Sequence, residues 1–82
     1  MLRIEIYQRA TRFISPSERF CIQMNYPHVL RDTRDEATER ELQLRLADMP
    51  MRTNIFIGEE HIGSLKDLMN LESFVVQQKI GG

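Results

Sequence analysis

A single cysteine, Cys21, stands in a chain of 82 residues. It cannot close an internal disulfide, and it lacks the companion Cys or His spacing of a zinc site. That usage fits a reducing compartment. Excess charge is also missing: eleven basic residues face twelve acidic ones, for a net charge of −1. A chain so balanced has no basic field of the kind that drives non-specific nucleic-acid binding. Long apolar runs are absent too. The longest stretch free of charge, Phe20 to Leu30, is interrupted by Gln23, Asn25 and Pro27, and a bilayer span needs roughly 20 apolar residues. MLRIEIYQR at the N-terminus has no apolar core followed by a small-residue cleavage site. Neither an internal repeat nor a low-complexity tract is present. These absences lead us to expect a cytoplasmic protein bound neither to membrane nor to nucleic acid.

What is there is ordinary for a globular protein: 41% hydrophobic and 28% charged residues, far from the composition of disordered chains. A chain of this length closes one hydrophobic core, so residues 1–82 form a single domain. Leu2 to Tyr7 alternates Leu2, Ile4 and Ile6 against Arg3, Glu5 and Tyr7, the period of a strand. A polar connection with Arg9, Thr11 and Arg12 follows, ending in Phe13 and Ile14. Ser15 then reads as a helix N-cap, with Pro16 at the first helical position and Glu18 completing a capping box. The helix is predicted over Pro16 to Met24, with Ser17, Phe20, Cys21 and Met24 on its core face, and Asn25 ends it.

His28 to Leu30 reads as a short strand parallel to the first. The charged run that follows opens with a second capping box, Thr33 to Glu36, and carries the helix-supporting pairs Glu36–Arg40 and Glu41–Arg45. Leu42, Leu44 and Leu46 alternate as a strand would, but the length, caps and strong helix formers favour a helix. Its core stripe would be Thr38, Leu42, Arg45 and Met49, its charges a solvated face, and Asp48-Met49-Pro50 its close. A strand from Arg52 to Ile57, a turn at Gly58-Glu59-Glu60, and a brief return through His61-Ile62 lead to Gly63. Ser64 with Asp67 forms a third capping box. Leu65, Leu68, Met69 and Leu71 would cover one side of that helix, and further turns to Ile80 would pack Phe74 and Val75.

In the resulting order β-α-β-α-β-β-α, three blocks resemble the glutaredoxin family. Ile4-Glu5-Ile6-Tyr7 with Arg9 and Thr11 is similar to the family's V-E-I-Y opening, which a Lys and a Thr follow. Asn54-Ile55-Phe56-Ile57, Gly58 and His61-Ile62-Gly63 are similar to Q-I-F-I-x-x-x-H-I-G. Asp67-Leu68 and Leu71 match D-L-x-x-L. The resemblance implies an α/β, thioredoxin-like three-layer domain on a mixed four-stranded sheet.

It also implies a site that has been rewritten. In the family a C-P-Y-C motif, or a monothiol variant keeping the first Cys, opens the first helix, whose N-terminus stabilises the nucleophilic thiolate. Here those positions hold Arg12, Phe13, Ile14 and Ser15. Arg12 removes the nucleophile, and with it the first ligand of a family-type iron–sulfur cluster, so neither catalytic residues nor a metal are expected. The family's cis-proline T-V-P reads Met51-Arg52-Thr53. A cis bond before Thr53 would cost about 3 kcal/mol, which implies a trans, reshaped loop. The glutathione-binding G-G-C-D becomes Gly63-Ser64-Leu65-Lys66.

Two function classes follow. The first is a redox-inactive binding module that takes another protein through the former active-site surface: Arg12, Phe13, Ile14, Ser15, Arg52 and Thr53. The second is a glutathione-binding or redox-related protein, in which Arg9 would contact the glycine carboxylate of glutathione and the helix start at Ser64 and Leu65 the glutamyl end. Each feature has a plainer reading. Arg9, Arg12 and Arg52 could be separately solvated, and Phe13 and Ile14 could tuck over the core. Cys21 reads as a core filler. His28 and His61 have no partners at metal-ligand spacing.

Overall fold

A computed structural model describes residues 1–47 and 54–81. Eight elements run in the order β1 (Ile4–Gln8), α1 (Pro16–Gln23), β2 (His28–Asp32), α2 (Glu36–Arg45), β3 (Ile55–Ile57), β4 (Glu60–Gly63), α3 (Leu65–Asn70) and α4 (Ser73–Gly81). The close expected for the second helix at Asp48 to Pro50, its stripe residue Met49, and the loop of Met51, Arg52 and Thr53 lie outside the described residues. The strands form one mixed sheet in the order β2-β1-β3-β4. β1 runs parallel to β2, with Ile4 opposite His28 and Gln8 opposite Asp32, and antiparallel to β3, with Ile4 opposite Ile57. The expected parallel neighbour is therefore present and extends two residues past Leu30.

Because strand side chains alternate between faces, β1 and β3 feed two separate cores. Ile4, Ile6, Ile55 and Ile57 point to one face, where they pack with Cys21 of α1, Leu68 of α3, and Val76 and Ile80 of α4. Tyr7 and Phe56 point to the other, under Leu42 and Leu46 from α2 and its C-cap. The chain is thus a small α/β domain with its sheet between α1, α3 and α4 on one side and α2 on the other. Burying each Ile, Leu or Val of these clusters contributes roughly 1.5–3 kcal/mol. Leu2 N–H donates to the Ile80 carbonyl at 2.7 Å, tying the end of α4 to the edge of β1.

Local chemistry accounts for most element ends. Ser15 and Ser64 both build full capping boxes, with Glu18 and Asp67 as the returning carboxylates. Asn25 leaves α1 at φ 58°, a left-handed stop that asparagine tolerates. At α2 the sequence expectation needs correction. Asp35, not Thr33, is the N-cap, accepting from Ala37 N–H. An aspartate directly before the helix outcompetes a threonine two residues earlier.

Three side-chain expectations are also corrected. Met24, Met69 and Phe74 do not join the core; they are exposed, and Val76 and Ile80 take the core face of α4. On α3 Leu68 is buried and Leu65 and Leu71 pack against the same core as expected, while Met69 alone of the four is turned outward. Arg45 does not pair with Glu41 along the helix. It crosses to Glu5 at 3.1 Å, while Glu41 is taken by Arg31.

Candidate functional site

The loop joining β1 to α1 carries most of the residues singled out from the sequence. Its first part is tied down. Ala10 N–H donates to Asp32 Oδ1 at 3.2 Å. The Arg34 guanidinium, gripping Asp32 Oδ2 at 2.8 and 2.9 Å, is the main cause that holds this carboxyl well below the usual range. Further on, the Thr11 hydroxyl accepts from Phe13 N–H at 3.2 Å and donates to the Phe13 carbonyl at 3.0 Å. This local turn projects Phe13 and Ile14 outward, 70% and 53% exposed. They do not tuck over the core. The Arg12 guanidinium lies 5.0 Å over the Phe13 ring, a cation–π pair that holds both side chains on the surface.

Ile14 forms one wall of an open groove of about 380 Å³ between α1 and α3. Pro16, Arg19, Phe20 and Gln23 of α1 and Leu65 and Met69 of α3 complete it. Leu65 is a predicted site residue and Ile14 another, so the fold brings together two positions fifty-one apart in the chain. Arg9 is exposed at the start of the loop and does not line the groove. Arg52 and Thr53 lie outside the described residues. Arg19, Phe20 and Met69 were not expected at the site. Their signal was in the sequence as four-residue spacing with Gln23, Pro16 and Leu65, which places each pair on one helix face.

Ser15 and Ser64 serve the scaffold. Ser15 Oγ accepts from Glu18 N–H at 3.2 Å, and Glu18 Oε1 accepts from Ser15 N–H at 3.1 Å. Ser64 N–H and Oγ–H both donate to Asp67 Oδ2, at 2.8 and 2.9 Å. The Ser64 backbone N–H, with its hydroxyl, is the first cause holding Asp67 below the usual carboxylate range. Both helix starts are thus occupied by the chain's own carboxylates. Gly63 makes room for this: at φ +120° it lies so close to the Asp67 carboxylate that a Cβ would overlap it.

Cys21 faces the sheet with no exposed surface. Burial, with the Glu18 charge as a lesser cause, pushes its thiol up to about 11. A nucleophilic thiol needs the opposite shift. His28 Nδ1 donates to the Tyr26 carbonyl at 3.0 Å, and the His61 ring packs 4.9 Å from that of Phe56. Among the described residues no three His, Cys, Asp or Glu side chains gather as a metal-binding group, and no helix is long and apolar enough to cross a membrane.

On the opposite face Arg45 lies 4.0 Å over Phe56 and donates to Tyr7 Oη at 2.9 Å, to Glu5, and to the Gly58 carbonyl. Arg31 joins Glu5 at 3.3 Å. This network locks α2 to the sheet. Sequence spacing held no signal for it, because its members are up to forty residues apart.

The class these features define is a small α/β domain with a four-stranded mixed sheet and an apolar groove in its helical layer. Compared with protein-family models, curated proteins and solved structures, the chain matches none of them.

Proposed function

We propose that this domain is a redox-inactive, glutaredoxin-like binding module of thioredoxin type, which takes a partner protein on the surface where that family performs thiol exchange. One observation carries the reading. The groove between α1 and α3 has Ile14 in its wall, and Ile14 and its chain neighbour Phe13 are two large apolar side chains left in solvent at the position of the family's thiol motif. Exposed apolar groups clustered round a concavity are the ordinary mark of a docking surface. Chemistry at this surface is disfavoured by the side chains themselves. Arg12 stands in place of the nucleophile, Ser15 is spent as a cap, and Cys21 is buried on the sheet side of α1. The competing glutathione reading loses its best donors for the same reason, since Asp67 already fills the helix start at Ser64. A cytoplasmic setting accords with the lone reduced thiol.

The test is a photo-crosslinking residue placed at Met69, with a second placed at Leu44 on α2 as control. The protein captured at Met69 is then purified, and its affinity for the wild type and for Phe13→Ala and Ile14→Ala is measured by calorimetry. The expected result is capture from Met69 and an affinity loss of at least about tenfold in each variant, the range of an interface hot spot. Equal affinity in both variants would refute the proposal. So would turnover in a glutathione-dependent disulfide assay, or amide shifts at Ser64 and Leu65 on titrating millimolar glutathione.

A further inference from the structure

We infer that β2 is a docking edge for a second copy of this chain, the two β2 strands pairing antiparallel about Leu30 and joining two four-stranded sheets into one. No residue of β2 lines the α1/α3 groove, so this surface is separate from the one that takes a partner protein above. The sheet ends on two edges, and they differ. β4 is blunted: it has four residues, a register shift interrupts its pairing with β3, and it opens on the exposed Glu60. Short length, bulges and outward charge are the devices that keep an edge from pairing. β2 runs five residues in unbroken register along β1, all of them half-buried where Ile4 and Ile6 beside them are fully covered. Its charges are already matched within the chain, Arg31 by Glu5 at 3.3 Å and Glu41 at 2.5 Å, Asp32 by Arg34 at 2.8 Å.

At the two ends of β2 the Pro27 carbonyl accepts from Ile4 N–H at 2.9 Å, and Thr33 N–H donates to the Gln8 carbonyl at 3.1 Å. Odd-numbered residues therefore face β1, and the backbone groups of His28, Leu30 and Asp32 point away from it. Among the described residues these outward groups have no backbone partner, save that the Asp32 carbonyl takes Asp35 N–H at 3.2 Å.

Register and charge name the occupant. In an antiparallel pair centred on Leu30, His28 of each copy faces Asp32 of the other, Leu30 faces Leu30, and Val29 faces Arg31. All three outward residues then exchange hydrogen bonds, and an imidazole lies opposite a carboxylate. Centring on Val29 would leave Asp32 beyond the strand. Centring on Arg31 would set two like charges face to face. The strand is thus complementary to itself in one register. A contact of this size makes a weak, reversible dimer.

The experiment is sedimentation velocity on the whole chain from about 20 to 500 µM, a range suited to an interface below standard size, with amide spectra over the same series. A monomer–dimer equilibrium is expected, its concentration-dependent shifts centred on the His28, Leu30 and Asp32 amides and absent from His61 and Ile62. Val29→Lys sets a lysine opposite Arg31 of the other copy at two symmetric places and should weaken the dimer at least about tenfold. Val29→Glu, at the same position, should keep or tighten it. Amide dispersion outside β2 shows that each variant folds, and the wild-type shift map tests the edge without either. A monomer throughout, a dimer whose shifts map to β4, or one lost on Met69→Glu but kept in Val29→Lys would overturn the inference. The first two of these leave the protein-binding reading of the groove untouched.

Discussion

If Cys21 is a core side chain and not a redox thiol, folding must suppress its reactivity, and the size of the suppression follows from its surroundings. The thiol has no exposed surface, and burial lifts it from an ordinary 9.0 to about 11. At pH 8 roughly one unfolded molecule in ten carries the thiolate against about one folded molecule in a thousand, so ionisation alone slows a thiol reagent about a hundredfold. Restricted access adds to that factor. The same shift makes stability depend on pH. The folded thiol holds its proton longer than the unfolded one, so its contribution is complete below about pH 9 and is lost as pH rises to about 11, some 2–3 kcal/mol in all. Labelling with a chromogenic disulfide at pH 8, native and in denaturant, reads the first effect. Urea melts of the wild type and Cys21→Ala at pH 8 and about 10.5 read the second. Tyr7 titrates in both proteins, so its contribution cancels. The stability advantage of the wild type over Cys21→Ala should shrink by about 1–2 kcal/mol at the higher pH. Native labelling within a few-fold of the unfolded rate, or an advantage that does not change with pH, would refute the assignment.

Gly63→Ala forces a Cβ onto the Asp67 carboxylate at a φ of +120°, so a loss of about 1–3 kcal/mol is expected in thermal melts; Gly81→Ala, where nothing lies within 4 Å, should be silent. Ser64→Ala removes a capping hydroxyl and should cost about 1 kcal/mol in the same assay. Arg45→Met keeps much of the stem over Phe56 but deletes the donors to Tyr7, Glu5 and Gly58. Leaving the Tyr7 hydroxyl and a partly buried carboxylate without that donor should cost about 2–3 kcal/mol, and a double-mutant cycle with Glu5→Gln should show coupling of about 1 kcal/mol or more. Phe13→Ala, by contrast, should leave the melting temperature within about 2 °C of wild type, because a side chain 70% exposed contributes little to folding.

Features decided within a few residues were legible in the sequence. The strand alternation of Ile4 and Ile6, the Ser15 and Ser64 capping boxes, the left-handed stop at Asn25 and the Gly58 turn each depend on neighbours in the chain. Leu42, Leu44 and Leu46 show the limit of such reading. Taken alone their alternation suggests a strand, and it is the length, caps and helix formers around them that point to the observed helix, in which Leu42 and Leu46 are buried one turn apart and Leu44 is 79% exposed. Tyr7 belongs by alternation to a polar face, but α2 covers that face as well, so the residue is buried. No local pattern encodes which second layer will cover a sheet. The site divides in the same way. The exposure of Phe13 follows from Thr11 two residues away, whereas the meeting of Ile14 with Leu65 needs α1 and α3 to pack side by side on the sheet.

The capping boxes have a consequence for binding as well as for folding. A free helix start presents unpaired N–H groups and a partial positive charge, which is how the glutaredoxin scaffold would favour a thiolate or a carboxylate. Here Glu18 and Asp67 accept from the cap N–H groups of Ser15 and Ser64 at 3.1 and 2.8 Å and bring full negative charges to the same places. A second anion at either helix start would meet that charge. The proposed protein-binding reading accommodates these two carboxylates more readily than the glutathione reading does, so titration with millimolar glutathione should leave the Ser64 and Leu65 amide signals in place.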